Sequence, residues 1–197
     1  MLDGGNMDTY EQMNKKTRRN IEDSFINLLQ KKSFRKMTIQ DISKAANVNR
    51  STFYHHYLDK YDLCEKIIKE LMLDLEALLS SINHEELKSQ IHEEISNIYC
   101  CTIFHFIEER KEIFGVLMKV DLPFSFVGHL KALLIKQYNE THMKLFEGTN
   151  IPKSYLANFA ASALLGLIDE WMKQDFSDDS EKLTKYFLDI LYMLRTL

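Results

Sequence analysis

Met37–Leu63 reads MTIQDISKAANVNRSTFYHHYLDKYDL, and three helix starts follow one another in it with little between them. Thr38, Asn49 and Asp59 each carry a side-chain oxygen able to accept from the free N–H groups of a helix's first turn. An apolar residue precedes each and another follows it inside the helix, pairing Met37 with Ile42, Val48 with Phe53 and Leu58 with Leu63, the spacing of a hydrophobic staple. Asp41 adds a capping-box partner to Thr38. This punctuation specifies two short helices and the start of a third, joined by a tight turn, which is the layout of a helix-turn-helix. Asn47 supplies the turn, because Asn tolerates left-handed backbone better than any residue except Gly.

The third helix starts at Asn49 and shows Arg50, Ser51 and Thr52 in its first turn, while Phe53 points back into the small core. Arg50 has the donor fork to bind guanine O6 and N7. The hydroxyls of Ser51 and Thr52 suit base edges or phosphates, and the Thr52 methyl suits thymine. Tyr54, His55 and Lys60 have the chemistry for phosphate oxygens, which fix register without reading sequence. His55 and His56 are neighbours and cannot both face inward, so at least one is exposed.

Working outward, residues 15–60 hold eleven Lys or Arg against four Asp or Glu, although the whole chain of 197 residues has a net charge of −4. A basic, capped helical unit on an otherwise acidic protein is the charge pattern of a molecule that meets phosphate at one end. Hydrophobic residues make up 45%, with 6 Gly and 2 Pro, too few for a turn-rich β fold, so the class is all-α with about nine helices. No apolar run is long enough to span a membrane and no signal-peptide core opens the chain, so a cytoplasmic protein is expected. Cys64, Cys100 and Cys101 have no disulfide or zinc spacing and are expected as reduced thiols. No cofactor and no metal is expected.

In chain order, residues 1–13 lack periodicity and read as an arm, with Met7 and Met13 as alternative starts. A first helix follows from Thr17, carrying Ile21, Phe25, Leu28 and Leu29, and its leading face shows Lys15, Lys16, Arg18 and Arg19 to a phosphate backbone. The fourth helix, Lys60 to Leu79, presents Leu63, Ile67, Leu71, Leu75, Leu78 and Leu79 on one side and connects head to body. Further helices are predicted at Asn83–Arg110, Lys111–Lys119, Phe124–Phe146, Lys153–Gln174 and Asp178–Leu197. The domains are therefore 1–62, arm and helix-turn-helix, and 63–197, a larger helical body, to which the family resemblance given below assigns effector binding and dimerisation.

In the last two helices, Ala161, Ser162, Leu165, Gly166 and Trp171 combine small and apolar groups, and Tyr186, Phe187, Ile190 and Leu194 follow them. Such surface at the end of a chain predicts a four-helix interface between two copies. Tyr99, Phe104, His105, Phe114, Met118, Phe126, His129 and Tyr138 are the candidates for an effector pocket, an apolar site with a few hydrogen-bonding groups. An enzyme would need convergent catalytic groups. The only cluster to offer is His84, His92, Glu93, Glu94 and His105, and His92 and Glu93 are sequence neighbours that face different ways on a helix.

The run TIQDISKAANVNRSTFYHHYLDKYDL resembles the signature of the TetR family of bacterial transcription regulators, T-[IV]-x-D-I-[AS]-x-x-A-[GN]-V-x-x-x-[TS]-[FL]-Y-x-[HY]-[FY]-x-x-K-x-x-L. Asn47 stands where Gly is commonest, and Ser51 where Gly is frequent. The resemblance implies that Arg50, Ser51 and Thr52 face bases in the major groove, that Tyr54 and His55 grip the backbone, and that Thr38 and Lys60 contact phosphates. It also implies a homodimer on a pseudo-palindromic double-stranded DNA operator, repression as the usual mode, and release by a small-molecule effector. The G-[IL]-[IV]-x-x-W pattern at Gly166–Trp171 is similar to one branch of the family. A helical adaptor, or a regulator that responds to a protein partner without a small-molecule effector, is the alternative.

Overall fold

A computed structural model of the chain describes residues 4–82, 92–141 and 150–196, with side chains over 10–82, 97–140 and 150–193. Among the described residues there are nine α-helices and no strand: α1 Gly4–Leu29, α2 Ile39–Ala45, α3 Arg50–His56, α4 Lys60–Ser80, α5 His92–Glu108, α6 Lys111–Leu117, α7 Phe126–Thr141, α8 Lys153–Lys173 and α9 Ser180–Thr196. A 3₁₀ turn, Phe34–Lys36, precedes α2. The architecture is all-α, as the composition predicts. No helix among these residues is long and apolar enough to cross a membrane.

The chain divides into two compact units: residues through Glu70 with Val116–Phe124, and Leu71–Gly115 with Ser125 onward. Helix α4 runs through the boundary at Glu70. In the first unit α1 packs on α2 and α2 on α3. Ile21, Phe25 and Leu29 of α1 are buried with Phe34, Met37, Ile42, Phe53 and Tyr57. The Phe34 ring meets Phe25 edge-on at 6.2 Å and Tyr61 at 5.1 Å. Helices α2 and α3 have seven residues each, far too short to persist alone in water. Their survival depends on this core and on their caps.

The first helix begins at Gly4, earlier than the Thr17 start read from the periodicity, so residues 4–13 are helical rather than an arm. The apolar stripe starts only at Ile21 and cannot reveal the preceding turns, which rest on good helix formers such as Glu11, Gln12 and Met13. Of the three staples, Met37 and Ile42 are both buried, but Leu58 is 79% exposed and does not close over Leu63. Asp62 takes its place, accepting from the Leu58 N–H at 2.9 Å.

In the second unit α5 packs on α9 and α7 on α8. Helix α5 buries Tyr99, Cys100, Ile103, Phe104, Phe106 and Ile107, so it is covered on more than one side. Phe104 lies edge-on to Trp171 at 6.2 Å and 6.4 Å from Phe187. The indole Nε1 donates to the Asp178 carbonyl at 2.8 Å. That contact closes the turn after α8, where Asp175 and Phe176 both take positive φ and the Phe176 ring packs 5.0 Å from Trp171. The predicted stretches 83–91 and 142–149 lie outside the described residues. All three cysteines are free thiols.

Candidate nucleic-acid interface

The unit around α2 and α3 is built by short-range hydrogen bonds. Thr38 Oγ1 accepts from the Asp41 N–H at 3.1 Å, and Asp41 Oδ2 accepts in return from the Thr38 N–H and hydroxyl, both at 2.8 Å. This is a complete capping box. Lys32 Nζ lies 2.6 Å from the same carboxylate. Held first by Lys32 and then by the Thr38 donors, the Asp41 carboxyl falls to about 2.

After α2, Asn47 turns the chain with φ 53°, the left-handed value expected of it. The Val48 N–H returns to the Ser43 carbonyl at 2.9 Å. Asn49 then caps α3: its Oδ1 accepts from the Thr52 N–H at 2.7 Å, the Ser51 hydroxyl at 2.6 Å and the Thr52 hydroxyl at 2.8 Å. One carbonyl oxygen thus organises the whole first turn of the helix.

Phe53 is 0% exposed, whereas Arg50, Ser51, Tyr54 and His55 are exposed and Thr52 is half-buried. The helix therefore shows one polar face. Arg50 is drawn along that face toward Tyr54, with a guanidinium nitrogen 3.4 Å from the phenol oxygen. It forms no ion pair among the described residues. At the other end of α3, His55 and His56 stand edge to face at 5.4 Å. His56 is half-buried; burial first, then the charges of His55 and Arg18, lower its pKa below the ordinary 6.5. The outward side of α3 is a set of hydrogen-bond donors and acceptors with an exposed guanidinium, the groups needed to read base edges and grip phosphates.

Two basic residues are placed differently from the expectation. Arg18 donates through Nε to Glu22 at 2.9 Å and through a terminal nitrogen to Glu70. Glu22 also accepts from the Tyr57 hydroxyl at 2.6 Å. Arg18 thus ties α1 to α4 and to the end of α3, and it is committed to carboxylates before any phosphate arrives. Lys15, Lys16 and Arg19 remain exposed on α1. Lys60 directs its ammonium inward, to the carbonyls of Phe34 at 2.8 Å, Arg35 at 3.2 Å and Met37 at 2.9 Å. Sequence reasoning missed Glu22 and Lys32 altogether. Arg18 and Glu22 do stand at the i,i+4 spacing of a helical ion pair, but Tyr57 is far from Glu22 in the chain and Lys32 is separated from Asp41 by the 3₁₀ turn.

In the second unit the effector candidates separate. Phe104, Phe114 and Phe126 are fully buried among other rings, with Phe114 5.4 Å from Phe126. His105 is exposed beside Glu108 and Glu109, and His129 is exposed with Nδ1 2.8 Å from the Ser125 carbonyl. Tyr99 is buried and Tyr138 half-buried, and burial pushes each phenol up to about 12. Met118 belongs to the first unit. The eight residues are therefore not one lining. His84 and the side chains of His92, Glu93 and Glu94 lie outside the described residues, and among those described no three His, Cys, Asp or Glu are grouped to hold a metal ion.

The residues expected between two copies also divide. Ala161, Trp171 and Phe187 are buried within the chain itself, with Trp171 3% exposed. Ser162, Gly166, Tyr186 and Ile190 face outward, Leu165 is half-buried, and the side chain of Leu194 lies outside the described residues. Tyr155 at 72% and Phe159 at 59% join Ser162 and Gly166 on one line of α8. A Cβ built at Gly166 would meet nothing within 4 Å among the described residues.

A capped helix-turn-helix with a polar, basic outer face, on a chain that also carries a separate helical unit, defines a helix-turn-helix transcriptional regulator. Residues 25–67 match the model for bacterial regulatory proteins of the tetR family, and residues 93–192 match a transcriptional regulator C-terminal region. The chain belongs to the TetR family. It is 24% identical over 186 residues to an uncharacterized HTH-type transcriptional regulator, YxbF, of Bacillus subtilis (strain 168), a match that takes in 89% of this chain and 44% of that protein. The chain thus spans less than half the length of that relative. Among solved structures it is similar to a TetR transcriptional regulator from Streptococcus agalactiae 2603V, at 26% identity and TM-score 0.63, over 92% of this chain and 97% of that one. The transcriptional regulator FadR from Bacillus subtilis, solved in complex with stearoyl-CoA, shares the fold at 15% identity and TM-score 0.66, over 88% and 96% of the two chains.

Proposed function

We propose that this protein is a cytoplasmic homodimeric repressor that binds a pseudo-palindromic double-stranded DNA operator through α3 and leaves it when an effector occupies the helical domain. The observation that carries the DNA half is the outer face of α3, where Arg50, Ser51, Tyr54 and His55 are exposed around a buried Phe53. Arg50 reads guanine, Ser51 and Thr52 read adjacent base edges, and Asn49 sets their first turn. Tyr54 and His55 grip phosphates, as does Thr38 at the start of α2. Two copies of α3 lie in successive major-groove turns. Phosphate contacts make the binding steeply salt-dependent.

The dimer forms through the uncovered lines of α8 and α9, Tyr155, Phe159, Ser162 and Gly166 with Tyr186 and Ile190. The effector is a small, largely apolar molecule held by a few polar groups, with Tyr99 and Tyr138 as hydroxyls at its margin. Of the stearoyl-CoA in the FadR structure, the acyl chain is of this apolar class, whereas its coenzyme A part is highly charged. Bound effector favours one of two dimer geometries, so release is a population shift. The chemistry is recognition rather than catalysis.

Selection of bound fragments from random and genomic DNA, with sedimentation of the complex, tests the proposal. A palindromic consensus bound by two copies supports it. Binding as a monomer, or equal affinity for every sequence, refutes it.

A further inference from the structure

Lys60 is the first residue of α4, where a cation opposes the positive end of the helix dipole and is mildly unfavourable. Its side chain is nonetheless drawn back across the first unit. The ammonium has three N–H donors, and three carbonyl oxygens surround it: Phe34 at 2.8 Å, Met37 at 2.9 Å and Arg35 at 3.2 Å. It also sits 4.7 Å above the Phe34 ring and 5.5 Å from the Tyr61 ring. Every proton of the ammonium is therefore already assigned. A phosphate oxygen could be bound only by giving up one of these carbonyls.

The three carbonyls belong to the 3₁₀ turn and to the residue that precedes the cap of α2. The last carbonyls of a short helical turn have few intrahelical partners, here the Met37 N–H on Phe34 at 3.2 Å, and the half-buried ammonium of Lys60 adds a donor to each. The chain of contacts continues from this point. Met37 leads into Thr38, Thr38 into the capping box with Asp41, and α2 into the Asn47 turn that aims α3. We propose that Lys60 is a positioning residue of the DNA-binding unit, a clamp that fixes the 3₁₀ turn and through it the orientation of α2 and α3, and not itself a phosphate ligand. This inference rests on the DNA-binding function proposed above.

The test uses the full chain with Lys60→Arg and Lys60→Met, a duplex selected by the wild-type protein and an unrelated duplex. Binding to both is followed across a salt titration, and amide hydrogen exchange is recorded without DNA. A guanidinium keeps the charge but spreads its donors over a plane, so it cannot converge on three carbonyls around one nitrogen. Both variants are expected to lose about tenfold in affinity for the selected duplex while changing about twofold or less on the unrelated one, because misorientation harms readout before it harms charge attraction. Lys60→Arg retains the wild-type salt slope. The amides of Lys36 and Met37, bonded to the Ser33 carbonyl, exchange faster in both.

A phosphate ligand would behave otherwise: Lys60→Arg would bind like wild type, and Lys60→Met would lose about 0.9 from the salt slope on both duplexes. That pattern overturns the proposal. So does a lowered melting temperature with an unchanged ratio of selected to unrelated affinity, the behaviour of a merely structural lysine. If Lys60→Met fails to fold, Lys60→Arg decides alone. If the wild-type protein selects no duplex, the DNA-binding function falls, and the exchange of Lys36 and Met37 still decides whether the clamp exists.

Discussion

Helices α3 and α8 each leave one face uncovered, and the two faces could hardly differ more. Helix α3 has seven residues, is held by one buried ring and an Asn cap, and turns donors and acceptors outward. Helix α8 has twenty-one residues, starts after Pro152 without a side-chain cap, and turns Tyr155, Phe159, Ser162 and Gly166 outward. The first can afford no self-sufficiency, because nearly all its polar groups are oriented by the cap and by neighbours. The second has length and burial to spare. Along that line the residues are apolar or small, the composition of a surface completed by another helix. An uncovered polar face marks a site for a hydrated, charged partner; an uncovered apolar one marks a site for protein.

Substitutions can separate the two faces, beginning with the largest effect. Phe53→Ala empties the only buried side chain of α3 and should destabilise the first unit by about 3–5 kcal/mol in denaturant unfolding, with the association of the second unit intact. Retained DNA binding and an unchanged melting curve would break the comparison at α3. Phe159→Asp places two unpaired carboxylates at the proposed two-copy interface and should weaken dimerisation by about 3 kcal/mol in sedimentation, without altering the melting of the first unit. A dimer of unchanged affinity would show that α8 meets something else.

Asn49→Ala removes one acceptor that serves three donors, and a cost of about 1 kcal/mol in head stability is expected, the usual size of a lost cap. Serine at the same position should recover most of it. The smallest effects follow pH. His56 has a folded pKa below 6.5, so the folded state binds fewer protons than the unfolded one, and stability declines as pH falls through 6.5 toward the lower folded value. Asp41 sits at about 2 against an ordinary 3.8, so the stability it contributes is present above 3.8 and is lost between 3.8 and about 2. Melting temperatures across this range should show two steps, and His56→Gln should remove the upper one.

Legibility from sequence followed distance along the chain. Caps act over three residues, so Thr38, Asn49 and the left-handed Asn47 could be read from Met37–Leu63 alone. Asp59 was equally plain, and its carboxylate accepts from the N–H groups of Tyr61 and Asp62, both at 2.8 Å. The Lys60 clamp reaches back to the 3₁₀ turn, and the Arg18–Glu22–Tyr57–Glu70 group joins α1, the end of α3 and α4. Only the Arg18–Glu22 pair, at i,i+4, leaves a local pattern. Leu58 has the spacing of a staple but lies on the wrong side of the junction, which spacing alone does not determine.

The candidate dimer surface was legible as a region and not as a face. Ala161 and Ser162, Leu165 and Gly166, and Tyr186 and Phe187 are neighbours, and neighbours on a helix point about 100° apart. One of each pair must turn inward more than the other. Periodicity marks two apolar stripes on α8 but cannot say which is covered by its own subunit. The packing of Phe104 against Trp171 and Phe187 decides that.

The central claim is that α3 reads DNA sequence through Arg50, and one competition measurement tests it most directly. Wild type and Arg50→Ala are compared on a duplex selected by the wild-type protein and on versions of it changed at each base pair. The account predicts a loss of about 1–3 kcal/mol on the selected duplex and relaxed discrimination at one position in each half-site, with the others unchanged. An equal loss of affinity on every sequence would make Arg50 a phosphate contact and contradict the account.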